Sequence, residues 1–348
     1  MGFALKHIRQ SDVPTPPNKK LRKSYKTNPL PELSLTLESL QTTMPVLTEE
    51  ISAPPTAASA PSLPSSADLF LQKPSGKFNW VFGIWIAIFH IGAIAAFFFF
   101  SWSALIVTAV LWVLGQNVGI AMSYHRQLTH RGFTTPKWLE YFMAICGTLA
   151  LQGGPLYWVA VHRLHHQNTD RPGDPHSPHD GGWWSHIGWI LYGSVHNTDE
   201  ELLARYAPDL ARQPFYRWLS KYHWLPITVV GIVLAIFGGV SWVLWGVFFR
   251  VALGLHVTWL VNSATHMWGS KRFATRDDSR NLWWVAILSG GEGWHNNHHA
   301  HPVSASHGMA WYEFDFNYLC IRLLGVLGLA KKIKVQGPEG GTARILHG

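Results

Sequence analysis

The sequence predicts an all-α membrane protein in which four transmembrane helices form two hairpins beneath a helical cap. Two observations support this fold class. Only 14% of the residues are charged, whereas a soluble domain carries about 25%. The apolar residues, 47% of the chain, concentrate in two long blocks that are separated by polar segments.

The first apolar block comprises residues 78–122. Residues 78–100 carry no formal charge, over a length that as a helix spans about 30 Å of hydrocarbon. Residues 101–122 repeat the pattern after a short interruption near Ser101-Trp102-Ser103. The two segments therefore predict a transmembrane hairpin with a tight turn.

The second long block, residues 222–265, is broken by Gly238-Gly239 and contains Arg250 as its one formal charge. It predicts the second hairpin. Residues 138–154 are apolar but too short to span a bilayer. They predict a buried or interfacial helix that ends at Gly153-Gly154-Pro155.

The polar segments define the domains. Residues 1–77 are rich in Pro, Ser, Thr, Ala and Lys and have no sustained period, which predicts a disordered tail. Residues 78–335 form the membrane domain and residues 336–348 a flexible C-terminal tail. Lys and Arg outside the apolar blocks place the termini and the cap on the cytosolic or stromal side. The formal charge of +8 fits an anionic membrane face better than nucleic acid.

Three histidine clusters carry the chemistry, and the chain has 20 histidines in all. The first cluster is HxxxxH, from His125 to His130. The other two are HxxHH boxes, His162-Arg163-Leu164-His165-His166 and His295-Asn296-Asn297-His298-His299. On a helix, residues i, i+3 and i+4 share a face, so each HxxHH box can present its three rings together. The rings of HxxxxH diverge on an α-helix, which predicts a helix end there.

These boxes predict a site for two metal ions in the cap. They contain eight imidazoles, and one metal takes about four to six ligands. No thiolate and no HExxH occurs among the boxes, which disfavours structural zinc and zinc proteases. Imidazole suits Zn, Cu, Fe and Ni alike. A site beside lipid tails favours iron, because iron activates oxygen against unactivated C–H bonds.

The order of the boxes and the neighbouring motifs resemble the integral-membrane fatty-acid desaturases of the delta-9 type. The matching segments are Asp174–Pro178, Trp184–Trp189, Asn262–Gly269, Ser279–Trp284 and Gly291–Trp294. The resemblance covers about residues 78–335. HxxxxH, rather than HxxxH, is the first-box spacing of the delta-9 members.

The resemblance implies a di-iron centre with O2 as co-substrate. Its histidine ligands would be His125, His130, His162, His165, His166, His266, His295, His298 and His299. Asn262 would complete the shell through a water, and its i, i+4 spacing to His266 puts both on one helical face. Gln152, Thr258 and Trp259 correspond to the bend of the family's acyl tunnel, and Trp158 lies near it.

The remaining polar residues allow two readings. Asp170, Asp174, Glu292 and Asp315 are candidate partners for ligand N–H groups or ordinary loop carboxylates. Some histidines near the boxes can orient the ligands, namely His176, His179, His186, His196, His301 and His307. Packing is the favoured role of His90, His223 and His256, which lie in or beside apolar segments.

The predicted function is O2-dependent introduction of a cis double bond, at delta-9, into a saturated acyl chain. An acyl-lipid substrate is favoured over acyl-CoA. No cytochrome b5 or flavin motif is fused, so ferredoxin, or else cytochrome b5, is expected as a separate electron donor that docks on a basic face. A bacterial inner or thylakoid membrane is favoured, with plastid or endoplasmic reticulum as alternatives. Two other functions stay open, a di-iron lipid hydroxylase of the same fold and a histidine-rich metal transporter.

Overall fold

The computed structural model describes residues 77–193, 203, 205–336 and 344–346. Within these ranges the protein is predominantly helical, and the only strands are a short antiparallel pair, β1 (Ile333–Val335) and β2 (Arg344–Leu346). The all-α class is therefore confirmed. The predicted N-terminal tail lies outside the described residues except for Lys77, and His196 also lies outside them.

Helices account for most of the described chain. In chain order, the α-helices are α1 (Trp80–Ala96), α2 (Trp102–Trp112), α3 (Lys137–Thr148), α4 (Pro155–Asn168), α5 (Trp189–Tyr192), α6 (Pro208–Ala211), α7 (Pro214–Lys221), α8 (Leu225–Val243), α9 (Arg250–Asn262), α10 (Ala264–Met267), α11 (Trp283–Ser289), α12 (His295–Ala300) and α13 (Phe316–Val326). Three π-helical segments, Val113–Thr129, Trp184–Gly188 and Leu244–Phe249, directly precede or follow α-helices. Short 3₁₀ turns occupy Phe97–Phe99 and Pro178–Asp180.

Three helical segments among the described residues are long and apolar enough to cross a membrane: Trp80–Phe99, Trp102–Thr129 and Leu225–Met267. The first two are separated by a tight turn. The 3₁₀ turn after α1 leads to Ser101, whose hydroxyl caps α2 by accepting from the Ala104 N–H at 3.2 Å. This turn lies where the sequence predicts it.

The third apolar segment changes direction at Gly239, whose φ of +61° and ψ of −155° are not helical. A Cβ added to Gly246 would lie 2.9 Å from the side chain of Leu234. Twelve residues of straight helix would separate these positions by about 18 Å. The chain therefore folds back on itself at Gly239, at the break that the sequence predicts.

The two chain reversals pack against each other. Trp242 Nε1 donates to Ser103 Oγ at 3.0 Å, and Trp245 Nε1 donates to the Ala96 carbonyl at 2.8 Å. Arg250 is fully buried, and its guanidinium donates to the carbonyls of Gly246 and Leu149 at 2.7 and 2.8 Å. Backbone oxygens thus accept from the one charged side chain of the second apolar block.

The π-helical segment Val113–Thr129 carries the first histidine box, and it packs closely on α3. A Cβ on Gly119 would lie 2.3 Å from the Gly147 nitrogen, so the two backbones touch where neither residue has a side chain. Helix α3 ends at Thr148, earlier than the predicted residue 154. The chain then turns through Leu151 and Gly153, whose φ values are +52° and +94°, before α4 begins at Pro155.

Candidate metal centre

Nine histidines gather in two buried or half-buried clusters. Cluster A contains His125, His130, His162, His166 and His298. Cluster B contains His165, His266, His295 and His299. In each cluster, one nitrogen from every ring lies within 4.8 Å of the others. The structure thus brings together all nine of the predicted histidine ligands.

The Nε2 atoms of cluster A converge on one point. Successive Nε2–Nε2 distances are 3.1 Å from His130 to His162 and 3.1 Å from His162 to His166. They are 2.9 Å from His166 to His298 and 3.1 Å from His298 to His125. Two imidazole nitrogens at right angles around a metal, each about 2.1 Å from it, lie about 3.0 Å apart. The spacing of cluster A matches such a coordination shell.

Each HxxHH box divides its rings between the two clusters. The box on α4 gives His162 and His166 to cluster A and His165 to cluster B. The box on α12 gives His298 to cluster A and two rings to cluster B. The spacing i, i+3, i+4 does place the rings on one helical face, but that face contributes rings to both clusters. Both helices therefore hold the clusters next to each other.

The first box adopts a geometry that the sequence did not predict. His125 lies in the π-helical segment, and His130 follows its end, where its N–H donates to the His125 carbonyl at 3.2 Å. A π-helical turn closes from residue i+5 to residue i. Residues five apart, which diverge on an α-helix, therefore reach the same cluster.

His266 and Asn262 lie on two helices rather than on one continuous face. Helix α9 ends at Asn262, Ser263 has φ of −98° and ψ of −68°, and α10 begins at Ala264. The N–H of His266 donates to the Ser263 carbonyl at 3.1 Å. His266 enters cluster B, and Asn262 lines a cavity together with His165 and His295.

Carboxylates contact the Nδ1 atoms of four of the nine imidazoles. Asp174 lies 2.9 Å from His165 Nδ1, Asp170 lies 3.0 Å from His266 Nδ1, and Asp277 lies 3.2 Å from His299 Nδ1. Glu292 contacts His125 Nδ1 in the same way. A carboxylate at Nδ1 keeps the proton there, so the Nε2 lone pair is free for a metal. Asp277 was not predicted, because no spacing links it to a box.

The unpaired nitrogens of cluster B fit a metal. Among the described residues, no hydrogen-bond partner lies near Nε2 of His266 or of His299. Buried nitrogens without partners are costly, and a cation would satisfy both. Burial, and secondarily the neighbouring imidazoles, holds the pKa of His295 and His299 well below the ordinary histidine value. These rings are therefore neutral, as metal ligands must be.

A buried ion-pair network supports cluster A. Arg126 is fully buried and donates to Glu292 Oε1 from Nη2 at 2.7 Å and to Asp315 Oδ2 from Nη1 at 2.9 Å. Burial favours the neutral acid, but the charge of Arg126, together with the hydrogen bond from His125, holds the pKa of Glu292 well below its ordinary value. Asp315, predicted as a possible partner of a ligand, contacts Arg126 and the His307 N–H at 2.8 Å instead.

Two further histidines lie beside these carboxylates. His307 Nδ1 is 3.6 Å from Glu292 Oε2, and His176 Nδ1 is 3.8 Å from Asp174 Oδ1. Each ring also packs on a cluster histidine, at 4.5 Å from His298 and 4.4 Å from His165. Among the described residues, the rings of His179 and His301 contact neither cluster, although the His301 N–H donates to the His298 carbonyl at 3.1 Å.

Two cavities flank the clusters. A polar cavity of about 270 Å³ is lined by Thr129, His130, Arg163, His166, Thr169, Asp277, His299 and Pro302. A smaller cavity, of about 50 Å³, is lined by rings of both clusters and by Ile120, Ala121, Val257 and Val261. The clusters thus have a polar opening on one side and an apolar wall on the other.

Three of the four predicted substrate residues form a hydrogen-bonded group at the apolar cavity. Gln152 Nε2 donates to Thr258 Oγ1 at 2.8 Å, and Trp158 Nε1 donates to Gln152 Oε1 at 3.2 Å. Trp158 and Thr258 line the cavity, and the Trp158 ring stacks on His162 at 5.0 Å. Trp259 is buried on the neighbouring face of α9, against His186 and His256.

Comparison with known proteins agrees with this site. Residues 100–319 match the family described as fatty acid desaturase. The chain is 48% identical over 261 residues to the sn-1 stearoyl-lipid 9-desaturase of Anabaena variabilis, covering 74% of this chain and 95% of that protein. It is 48% identical over 269 residues to the sn-2 palmitoyl-lipid 9-desaturase of a Nostoc species, covering 77% and 94%.

A plant relative shows the same likeness. The chain is 46% identical over 246 residues to delta-9 acyl-lipid desaturase 2 of Arabidopsis thaliana, covering 71% of this chain and 80% of that protein. The family match spans more than half of the sequence and contains every histidine of both clusters. The predicted resemblance is confirmed, and the chain belongs to the fatty acid desaturase family and is a fatty-acyl desaturase.

Proposed function

We propose that clusters A and B each hold one iron ion, and that the enzyme introduces a cis double bond at delta-9 of a saturated acyl chain carried on a glycerolipid. The observation that carries the proposal is the pair of adjacent imidazole clusters beside an apolar cavity. Five imidazoles complete the first metal site. The second has four, and Asn262, at the same cavity, supplies the remaining position through a water.

Iron is chosen over zinc because of the chemistry that the site must supply. Two bound irons would reduce O2 with two external electrons and so provide the oxidant for an unactivated C–H bond. In the overall reaction two adjacent methylenes each lose one hydrogen, and O2 leaves as two waters after taking up two further protons. The four carboxylates at Nδ1 make those imidazoles more basic and so strengthen metal binding.

The side chains around the cavity position the acyl chain. Val257 and Val261 on α9 and Ile120 on the π-helical segment line the cavity and exclude water from it. The group of Gln152, Thr258 and Trp158 fixes the cavity wall next to His162. Orienting two methylenes at a fixed distance from both clusters is the main task of the protein, because the geometry decides which carbons react.

The proposed substrate and double-bond position are inferred from the names of the relatives. The two cyanobacterial proteins are named for stearoyl and palmitoyl lipids, and the plant protein is named as an acyl-lipid delta-9 enzyme. The family match, residues 100–319, covers the cavity as well as the boxes. We assign the same bond position and a lipid-bound acyl chain.

In the membrane, we propose four spans. Trp80–Phe99 and Trp102–Thr129 form the first hairpin, and the third apolar segment forms the second by folding back at Gly239. Both termini and the metal centre then share one face, which the basic residues of the polar segments make cytosolic or stromal. A bacterial inner or thylakoid membrane fits the cyanobacterial relatives.

The electrons come from a separate protein. Arg163 and His166 line the polar cavity, and Arg131 lies exposed beside the cluster ligand His130. Both arginines pair with Asp209, so the match to an acidic, soluble ferredoxin rests on the formal net charge of +8 of the whole chain, and complementary charge speeds such encounters. The polar cavity reaches both clusters, because His130, His166 and His299 line it.

The test is a reconstitution in lipid bilayers with iron, ferredoxin and its reductase. One sample receives saturated glycerolipid labelled in the acyl chain, and a second receives the matching acyl-CoA. We expect two irons per chain and a labelled cis-9 product from the lipid only. A product from acyl-CoA alone would reassign the carrier, and an oxygenated product would make the enzyme a hydroxylase.

A further inference from the structure

A chain of polar side chains outside the metal centre crosses three elements. His90 on α1, His256 on α9, His186 in the π-helical segment Trp184–Gly188 and Ser263 after α9 make a continuous series of hydrogen bonds, which we call the histidine relay. All three histidine rings are partly buried, and Ser263 is buried. The desaturase reaction described above uses none of them.

The contacts of the relay run end to end. His90 Nδ1 lies 2.7 Å from the Ile86 carbonyl, and His90 Nε2 lies 2.9 Å from His256 Nε2. His256 Nδ1 lies 3.0 Å from His186 Nε2, and His186 Nδ1 lies 3.1 Å from Ser263 Oγ. Ser263 Oγ donates to the Trp259 carbonyl at 2.7 Å. Each imidazole uses both of its nitrogens, so the rings form a line and not a metal-binding pocket.

A count of protons shows that the neutral relay has one proton fewer than its contacts need to be hydrogen bonds. Both ends are carbonyl oxygens, which only accept. The relay has five contacts, and each needs one proton to be a hydrogen bond. Three neutral imidazoles and one hydroxyl supply only four. Whatever the tautomers, one contact in the neutral relay therefore joins two lone pairs, and one added proton removes that defect.

We propose that the histidine relay is a binding site for one proton beyond the four that its neutral groups carry. A proton from hydronium adds to a ring-nitrogen lone pair, forms an N–H bond and releases water, with no change of oxidation state. The added charge is shared along the line, because each imidazole can pass a proton across its N–H···N contact. In the protonated relay all five contacts are hydrogen bonds.

The charged groups near the relay influence the pH at which it takes up this proton. Helix α1, residues 184–192 and residues 244–262 contain no Asp or Glu, so no carboxylate on these elements neutralises the charge. Their other ionisable groups are Tyr192 and Arg250, and Arg250 is engaged with the carbonyls of Gly246 and Leu149. Of the elements packed against these, the Pro178–Asp180 turn carries His179 and the exposed Asp180, and α10 carries His266. Burial lowers the pKa of His186. Because burial disfavours the charged form, the extra proton is expected only in acidic buffer.

The relay connects to the apolar cavity through α9. The Trp259 ring lies 5.1 Å from the His256 ring and 5.6 Å from the His186 ring. Ser263 lies between Asn262 and the turn that carries His266. In the protonated relay, complete hydrogen bonds therefore join α1 and the Trp184–Gly188 segment to α9, the helix that lines the cavity. The inference does not depend on the proposed metal binding, because the relay contains none of the predicted metal ligands.

The sharpest test removes a group that does not itself titrate. In Ser263→Ala the relay keeps three contacts and three imidazole protons, so the neutral form is complete. The iron-loaded protein with ¹⁵N-labelled histidine is studied in bilayers by infrared difference spectroscopy between mildly alkaline and acidic buffer. We expect Ser263→Ala to form one imidazolium fewer per molecule than the wild type.

Two variants serve as controls. Thr108→Val removes another buried hydroxyl that donates to a helix carbonyl, that of Ala104 at 2.8 Å, and Ser263→Thr keeps the relay hydroxyl. Both should form as many imidazolium ions as the wild type. An unchanged count in Ser263→Ala would overturn the proposal.

A second measurement needs no variant. Among the described residues, His90–His256 and His256–His186 are the only contacts between histidine nitrogens outside the metal centre. Solid-state ¹⁵N NMR of the wild type in acidic buffer should find one imidazole, coupled across N–H···N bonds, with both nitrogens protonated. Three singly protonated rings in that line would contradict the proposal.

Discussion

Arg126 and Glu292 make a buried ion pair that leaves one carboxylate oxygen for the metal centre. The guanidinium donates from Nη2 and Nε to the same oxygen, Oε1, at 2.7 and 3.1 Å. The other oxygen, Oε2, contacts Nδ1 of His125. Asn317 Nδ2 also donates to Oε1 at 3.1 Å. One carboxylate therefore joins the first histidine box to the segment that precedes the third box.

Glu292→Gln should weaken iron binding at cluster A. The amide cannot neutralise Arg126, but Arg126 keeps its ion pair with Asp315, so folding stability should fall by less than the about 3–5 kcal/mol that a fully unpaired buried charge costs. Loss of the carboxylate behind His125 should lower iron affinity about 10–100-fold. Thermal unfolding and iron retention against a chelator measure the two effects. Asp209→Asn is the control, because its partner Arg163 is only partly buried; equal iron retention in all three proteins would contradict this role of Glu292.

Asp174→Asn should act on cluster B alone. Asp174 holds His165 Nδ1 at 2.9 Å and accepts from the Asp170 N–H at 2.9 Å. We expect iron content to fall from two ions per chain towards one, with about 10–100-fold weaker binding of the second ion. Asp180→Asn changes an exposed carboxylate nearby and should leave both ions bound. Simultaneous loss of both ions would show that the clusters do not bind independently.

Gly119→Ala should destabilise the fold. The new Cβ would lie 2.3 Å from the Gly147 nitrogen, and the backbone of α3 must move to admit it. Such overpacking costs about 1–3 kcal/mol or more. Gly231→Ala is the matched control, because its Cβ meets nothing closer than 3.9 Å and alanine favours the helix by about 1 kcal/mol. Unfolding in detergent, followed by circular dichroism, should give opposite shifts for the two variants.

Thr258→Val should loosen the placement of the acyl chain. The change keeps the side-chain shape and removes the acceptor for Gln152 Nε2. Loss of one such hydrogen bond costs about 1 kcal/mol, which corresponds to about a fivefold change in an equilibrium. We expect double bonds at neighbouring positions to rise by about that factor in mass-spectrometric product analysis. Thr228→Val removes an exposed hydroxyl that donates to the Trp224 carbonyl and should leave the product distribution unchanged.

The main features of the fold and site could be predicted from the sequence, because they depend on local patterns. Uncharged runs predict the apolar helices, and the histidine spacings predict rings on one helical face. The cluster that each ring joins, and the local backbone that brings it there, could not be predicted. HxxxxH reaches a single cluster because the helix before His130 becomes π-helical, and Ser263 separates Asn262 and His266 onto two helices.

Contacts between distant segments account for what was missed. Asp277 lies 22 residues before His299, and Arg126 meets Glu292 across 166 residues. Packing is the role that the sequence favours for His90 and His256, yet a hydrogen bond joins them across 166 residues. None of these pairs has a periodic signal, because tertiary packing alone brings them together.

The most direct test of the desaturase assignment is the fatty-acid profile of a desaturase-deficient host that expresses this chain, beside a His162→Ala variant. His162 lies between His130 and His166 in cluster A, so its loss should disable the centre. We predict new cis-9 monoenes with the wild type and none with the variant at equal protein levels. Absence of any new unsaturated product from folded, iron-loaded wild type with ferredoxin supplied would contradict the assignment.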